Sequence, residues 1–207
     1  MQTHQRRAQD ILYENNQKLV TLLVNGGFNL QGGNMSSPAK EVLVKKHVTR
    51  EDIFDITPEA IALIKKNFQT QELDFMKLLT ADRKYLIIAK RLLIPLRNKN
   101  GDVYGFSSRI HDGGYQGLPK YLHHINTSVC YDKFNEYFNS DAAVKLGSTE
   151  NICIVEGPFD AIYMTDVCGI PAVASMGKAL RVSPERLRFL ARYNKVILFM
   201  DGDNAGK

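Results

Sequence analysis

Between His4 and Val24 the apolar residues Ile11, Leu12, Leu19, Leu22 and Leu23 return at roughly helical spacing, and the run stops at Asn25, Gly26 and Gly27. The pattern predicts a helix with a glycine end. After a polar stretch from Gly32 to Pro38, Ala39–His47 and Thr49–Phe54 read as two short helices. Ser36 or Ser37 is placed to cap the first, and Thr49, with Asp52 three residues on, to cap the second. Thr57, Pro58 and Glu59 open a further helix that runs to Lys66, with proline in its first turn.

Near Arg91 the period changes. Arg91–Arg97 is a strand-like apolar run, Asn98–Gly101 is hairpin-turn chemistry, and Asp102–Phe106 returns as a second strand leading into Ser107–Ile110. A glycine-rich loop, Gly113–Gly117, precedes Pro119–Leu122, and a polar, aromatic-rich connection runs to about Thr149. From Asn151 onward short apolar runs alternate with helical segments. Ile152–Val155, Pro171–Ser175 and Val196–Met200 read as strands, and Asp160–Val167 and Ser183–Tyr193 as the helices between them. That order implies a parallel sheet with helical crossovers.

Composition adds little to this and excludes some classes. In 207 residues, 44% hydrophobic, the chain can bury one good core or two small ones. Lysine and arginine outnumber aspartate and glutamate by 27 to 22, a balance that favours a phosphate-rich partner. Cys130, Cys153 and Cys168 are odd in number and lack CxxC spacing, which argues against a disulfide framework and against structural zinc. The polar segment Met1–Asp10 has no apolar leader region, and no later stretch approaches about 18 consecutive apolar residues. The expectation is a cytoplasmic protein without a membrane partner.

Open parallel sheets bind ligands at the carboxyl ends of their strands. Glu156, Asp201 and Asp203 all fall there. If the first and third strands are neighbours, these carboxylates meet within a few ångströms, and carboxylates that close repel one another unless a cation stands between them. Oxygen ligands suit Mg²⁺ (or Mn²⁺), which is commonly shared with substrate phosphates. Glu-Gly and Asp-Gly-Asp are also ordinary turn chemistry. Two such turns, each directly after an apolar strand and one βα unit apart, favour the metal reading. Asp160 is either a favourable charge at a helix N-terminus or a contact to the metal's water. Upstream, Arg91, Arg97, Arg109 and Lys120 flank the hairpin. With Tyr104, Phe106 and Tyr121 they offer charge for phosphates and flat surfaces for bases; the alternative is a solvated hairpin face with its aromatics in the core.

Ile154–Asp160, Ala172–Gly177 and Phe199–Gly206 resemble the Toprim fold of bacterial-type primases, topoisomerases and some nucleases. Arg91–Arg109, followed by Pro119–Leu122, is similar to the basic N-terminal subdomain of the catalytic core of DnaG-type primases. The resemblance covers about Arg91 to Lys207, and Ala39–Phe54 resembles that family's helical lead-in. It implies a mixed α+β and α/β architecture: a helical lead-in over 1–90, a basic β-hairpin subdomain over 91–149, and a partial Toprim domain with a Rossmann-like parallel sheet over 150–207.

By the same resemblance the activity is that of a DNA primase, a DNA-directed RNA polymerase that makes RNA primers on single-stranded DNA. Glu156, Asp201 and Asp203 are then the catalytic residues and hold Mg²⁺ or Mn²⁺, with Asp160 beside them. Arg109 and Lys120 then line the groove for nucleotide and template, with Lys133 a further basic contact; Arg91, Arg97 and Tyr121 join them as nucleotide- or template-binding candidates on the chemistry given above. The family commonly has Asn after its Lys-Tyr-Leu, where this chain has His123. The implied partners are single-stranded DNA, ribonucleoside triphosphates, a replicative helicase and a complementary primase chain. The family's core continues past the Asp-Gly-Asp run with a further strand and acidic pair. The expectation is therefore a fragment, a split gene product or a truncated relative, whose last strand is an exposed edge and whose primer synthesis alone is weak or absent. Two rival readings stand: a non-enzymatic single-stranded nucleic-acid-binding accessory module, and another Toprim enzyme such as a topoisomerase or nuclease.

Overall fold

The structure is a computed structural model that describes residues 2–111, 119–130, 135–176 and 183–200. It divides into two compact units. One comprises Met1–Lys45, Thr49–Leu96 and Val103–Cys130, the other Lys46–Val48, Arg97–Asp102 and Tyr131–Lys207.

The first unit begins with α1 (Gln2–Asn25), which buries Leu12, Leu19, Val20 and Leu23. Asn16, buried in the same helix, donates from Nδ2 to the Val103 carbonyl at 2.9 Å. The helix ends at the predicted glycines: Gly26 donates to Leu22, and Gly27 turns the chain with φ +67°. α2 (Ser37–Lys45) follows, then β1 (Phe54–Asp55), α3 (Pro58–Asn67), α4 (Thr70–Phe75), β2 (Arg91–Arg97), β3 (Val103–Ile110) and β4 (Tyr121–His124). Thr57 caps α3 by accepting from Ala60 N at 3.3 Å, with Pro58 in the first turn as the sequence predicts.

Thr49–Phe54 is not a helix. The segment turns and then enters β1, which pairs antiparallel with β2, Phe54 opposite Leu93 and Asp55 opposite Leu92. Ile53, Phe54 and Ile56 are all fully buried there, and burial against the sheet outweighs the weak helical signal of a capping threonine. The four strands lie in the order β1-β2-β3-β4. β1 pairs only with Leu92 and Leu93, so Pro95, which has no N–H to give, lies beyond the end of that ladder. In the hairpin turn Asn98 Oδ1 accepts from Asn100 N and Asp102 N at 2.9 and 3.0 Å, and Gly101 takes φ +91°.

The second unit contains α5 (Ser140–Lys145), β5 (Asn151–Val155), α6 (Pro158–Asp166), β6 (Ala172–Ala174), α7 (Pro184–Leu190) and β7 (Lys195–Leu198). Its sheet is parallel, in the order β6-β5-β7. The first and third predicted strands are thus direct neighbours. Ile152, Ile154 and Val173 pack with Tyr137, Ala143 and Tyr193 into a core that Phe189, Leu190 and Met200 close over. β7 is an outer strand of the described sheet, with Val196 and Leu198 exposed. The outer edge of β6 is covered where Phe138 and Ala174 exchange backbone hydrogen bonds at 3.2 and 3.1 Å. All three cysteines are free, and among the described residues no helix is long and apolar enough to cross a membrane.

Asn139 fastens α5, α6 and β6 together. Buried, with φ +72°, it donates from Nδ2 to Thr165 Oγ1 at 2.8 Å, the Ala172 carbonyl at 2.9 Å and the Ala161 carbonyl at 3.3 Å. Replacing it by alanine orphans those acceptors and strains a left-handed backbone, a combined cost of about 3 kcal/mol; glycine recovers only the backbone share, about 1 kcal/mol. Urea melts should therefore rank wild type above Asn139→Gly above Asn139→Ala. Coincident midpoints for all three would contradict this account.

Candidate active site

β5 and the turn after it build the acidic end. Four consecutive buried residues, Ile152–Val155, carry the chain through the sheet, and Glu156 emerges half-buried at the carboxyl end. Gly157 caps α6, Pro158 occupies its first turn, and Asp160 comes next on the exposed side. A side chain at Gly157 would collide with the Asp160 carboxylate, so the glycine lets Asp160 fold back over the turn that bears Glu156. Beside it the β7 ladder continues past its last residue, Phe199 N donating to the Ile154 carbonyl at 2.9 Å. On the other flank Ser175 N donates to Val155 at 3.1 Å. All three strands therefore deliver their carboxyl ends to one place. Asp201 and Asp203 lie outside the described residues, and so does Lys133.

Lys46 reaches the same turn, with Nζ 3.9 Å from Asp160 Oδ1, and His47 sets its ring 5.6 Å from that of Tyr163 on α6. Sequence reasoning missed this pair. The one available signal was the basic run Lys45-Lys46-His47 at the end of a helix, and nothing in it points to a carboxylate more than a hundred residues away. Among the described residues no cluster of three or more His, Cys, Asp or Glu side chains could hold a metal ion. The donors at this end, Glu156 and Asp160, offer carboxylate oxygens only, a set that fits a hard divalent cation and not zinc.

Of the basic residues, Arg91 starts β2, Arg109 lies on β3, and Lys120 directly precedes β4. Arg109 stands opposite Tyr121 in the antiparallel ladder, Ile110 N donates to the Lys120 carbonyl at 3.0 Å, and Lys120 is exposed. Arg91, at the start of β2, is buried and donates to the Pro119 carbonyl from Nη1 and Nη2 at 3.3 and 2.7 Å. Burial pulls its pKa below the ordinary arginine value. Arg109 is also buried and donates to the Ile110 carbonyl at 3.1 Å. Arg97 ends β2 and donates to the Gly101 carbonyl in the hairpin turn at 2.9 Å. Tyr104 and Phe106 are core residues rather than base platforms, whereas Tyr121 is half-exposed.

Beneath this surface lie two histidines that the sequence did not flag. His111 Nε2 stands 3.1 Å from Asp55 Oδ1, and Ser36 N donates to Asp55 Oδ2 at 2.9 Å. Burial works to raise the Asp55 pKa, but the adjacent His111 ring and the hydrogen bonding from Ser36 outweigh it and leave the carboxyl below its usual range. His124, beside His123 on β4, is buried between Ser108 Oγ at 2.8 Å and the Lys77 carbonyl at 3.2 Å.

A parallel sheet that gathers an acidic turn at its carboxyl end, in a chain that also carries an antiparallel unit bearing arginine and lysine, is the architecture of Toprim nucleic-acid enzymes. Comparison with known proteins narrows it further. Residues 57–144 match the N-terminal domain of the DNA primase catalytic core, and residues 150–207 match the Toprim domain. A DNA primase of Rickettsia felis is 34% identical over 152 residues, which take in 69% of this chain and 24% of the relative. That of Synechococcus elongatus is 36% identical over 121 residues, 56% of this chain and 16% of the relative. The chain thus spans about a quarter or less of the length of these relatives. The structure of a DnaG primase catalytic domain bound to single-stranded DNA superposes with a TM-score of 0.73 at 26% identity, over 99% of this chain and 64% of that one. The zinc-binding and RNA polymerase domains of the Aquifex aeolicus primase share the fold, with a TM-score of 0.76 at 20% identity over 96% of this chain and 50% of that one. This chain belongs to the DnaG-type primase family, in its catalytic core.

The buried His124 makes a measurable statement about this core. Burial pushes its pKa from 6.5 down to about 4, so the folded chain holds it neutral. Stability from this group is full above pH 6.5 and is lost as pH falls towards 4, because the unfolded chain takes up the proton first, a loss of about 3 kcal/mol. His124→Gln should remove that part of the acid slope. Parallel stability–pH curves for wild type and variant would refute the assignment.

Proposed function

We propose that this chain is the RNA-polymerizing core of a primase, joining ribonucleotides on a single-stranded DNA template. The observation that carries the reading is the parallel pairing of β5 with β7, which sets the turn bearing Glu156 beside the strand that leads to Asp201 and Asp203. Glu156, Asp201 and Asp203 would hold Mg²⁺ or Mn²⁺, with Asp160 touching its water. Such a cation, when bound, neutralises triphosphate charge and stabilises the attacking and leaving oxygens of an in-line displacement.

The chain's own residues supply the rest. Lys120, exposed at the start of β4, is the direct phosphate contact, and half-exposed Tyr121 next to it offers a surface for a base. Arg109 places a fixed positive charge under the same ladder. Arg91 acts as a positioning residue, holding the Pro119 carbonyl so that Lys120 leaves the loop at a defined angle. Arg97 and Lys133 complete the basic set for template and nucleotide. The meeting point of the two family matches, between 144 and 150, supports a functional boundary near residue 150. A polymerase of this kind works in the cytoplasm, where template and nucleotides are.

Primer formation from the four ribonucleoside triphosphates on single-stranded DNA with Mg²⁺ is the test. Glu156→Gln and Asp201→Asn should each lower the rate about 100-fold or more. Equal rates in wild type and both variants would end the polymerase reading. Salt-sensitive binding of single-stranded DNA that neither Mg²⁺ nor the two substitutions alter, by a wild type that makes no product, would replace it with a purely nucleic-acid-binding role.

A further inference from the structure

In the first unit the chain between α4 and β2 forms a small two-stranded ribbon. Thr80 N donates to the Tyr85 carbonyl and Ile87 N to the Leu78 carbonyl, both at 2.9 Å, and Leu79 and Leu86 face each other across it. The tip is cross-braced. Arg83 N donates to the Thr80 carbonyl at 2.8 Å, Thr80 Oγ1 donates to Asp82 Oδ1 at 2.5 Å, Lys84 N donates to the same carboxylate at 3.2 Å, and Arg83 turns the chain with φ +58°. A tip bonded in this way fixes the backbone from which its side chains leave.

Alternation then decides what each face shows. Leu86 and Ile88 point inward and are 4% and 0% exposed, while Tyr85 and Ile87 point outward and are 65% and 37% exposed. Lys84 directly precedes Tyr85 in the chain, and Lys77, Arg83, Lys84 and Lys90 are all exposed on this segment, against Asp74 and Asp82 of opposite sign. Arg83 lies 2.8 Å from Asp74 and Lys84 4.0 Å from Asp82, so the ribbon remains net positive. One exposed tyrosine on a turn would be unremarkable. An outward aromatic and aliphatic pair on a backbone-braced ribbon that carries exposed cations is the combination that stacks bases and neutralises phosphates. One tyrosine and one isoleucine offer far too little apolar area for a stable protein interface, which needs about 800 Å² per partner. They suffice for one or two unstacked bases.

We propose that the outward face of this ribbon, with Tyr85 as its stacking platform and Lys84 as its phosphate contact, is a binding surface for single-stranded nucleic acid. It rests on the polymerase reading above only in requiring that the chain bind a single strand. Binding of a fluorescein-labelled single-stranded oligo(dT) to the full chain, followed by anisotropy over a range of salt, tests it. Tyr85→Ala should weaken binding about tenfold and Tyr85→Phe should not, since the ring and not the hydroxyl does the stacking. Lys84→Ala should weaken it and reduce the slope of log affinity against log salt by about 0.7. Both positions are exposed, so thermal melts of the variants should match wild type.

If wild type binds and both alanine variants bind equally well, this inference is wrong while the polymerase reading stands. If wild type binds no single strand at all, both fall. If oligo(dT) binding is unaffected while binding of poly-glutamate is lost in Tyr85→Ala, the ribbon is a contact for an acidic protein instead, and the inference is again overturned.

Discussion

The parallel ladder between Asn151–Ile154 and Lys195–Leu198 is the constraint on which the acidic end depends. The two segments are some forty residues apart in the chain, and no local interaction would bring the turns after them together. Parallel pairing does so automatically, because both strands run the same way and both emit their next residues at the same edge. A one-residue slip would exchange the inward Ile152 and Ile154 for Cys153 and Val155. The core of Tyr137, Ala143, Val173 and Tyr193 into which Ile152 and Ile154 fit therefore also fixes where Glu156 leaves the sheet.

The parts of the fold legible in the sequence are those where a local signal and the tertiary outcome agree. The glycines after Val24, the Thr57-Pro58 start of α3, the Asn98–Gly101 turn, Ser183-Pro184 before α7 and the three apolar runs of the parallel sheet all belong here, since each encodes its conformation in its own side chains. Thr49–Phe54 shows the opposite case. Its capping signal is local, but Ile53 and Phe54 are buried against Leu92 and Leu93, and a two-residue strand leaves no periodicity to read. α4, β4 and α5 are six, four and six residues long and were missed for the same reason: too few positions for a period to repeat. At the site, the apolar-run-then-acid pattern exposed Glu156, whereas Lys46 beside Asp160, and the burial of Arg91 and Arg109, arise from contacts between distant segments that composition cannot encode.

Those buried arginines change the meaning of the positive charge. Read from the sequence, Arg91, Arg109 and Lys120 are equivalent cations on a hairpin. In the structure only Lys120 is exposed, and Arg91 spends its guanidinium on the Pro119 carbonyl. The second unit uses Arg186 in the same way: buried, 4.3 Å over the Tyr137 ring, it donates from Nη2 to the Glu136 carbonyl at 2.7 Å and to that of Ser175 at 3.3 Å. A guanidinium keeps its proton even when burial depresses its pKa, and it has five donors to distribute. It can therefore hold backbone carbonyls from two segments at once, as Arg186 does with Glu136 and Ser175. The carbonyl that Arg91 holds belongs to Pro119, directly before Lys120, and Arg186 holds that of Ser175, directly after β6, whose end lies beside Val155 and Glu156. In each unit a buried cation thus holds backbone next to a strand, the Pro119 carbonyl just before β4 in the first and the Ser175 carbonyl just after β6 in the second, so that truncating either removes those hydrogen bonds together with a charge.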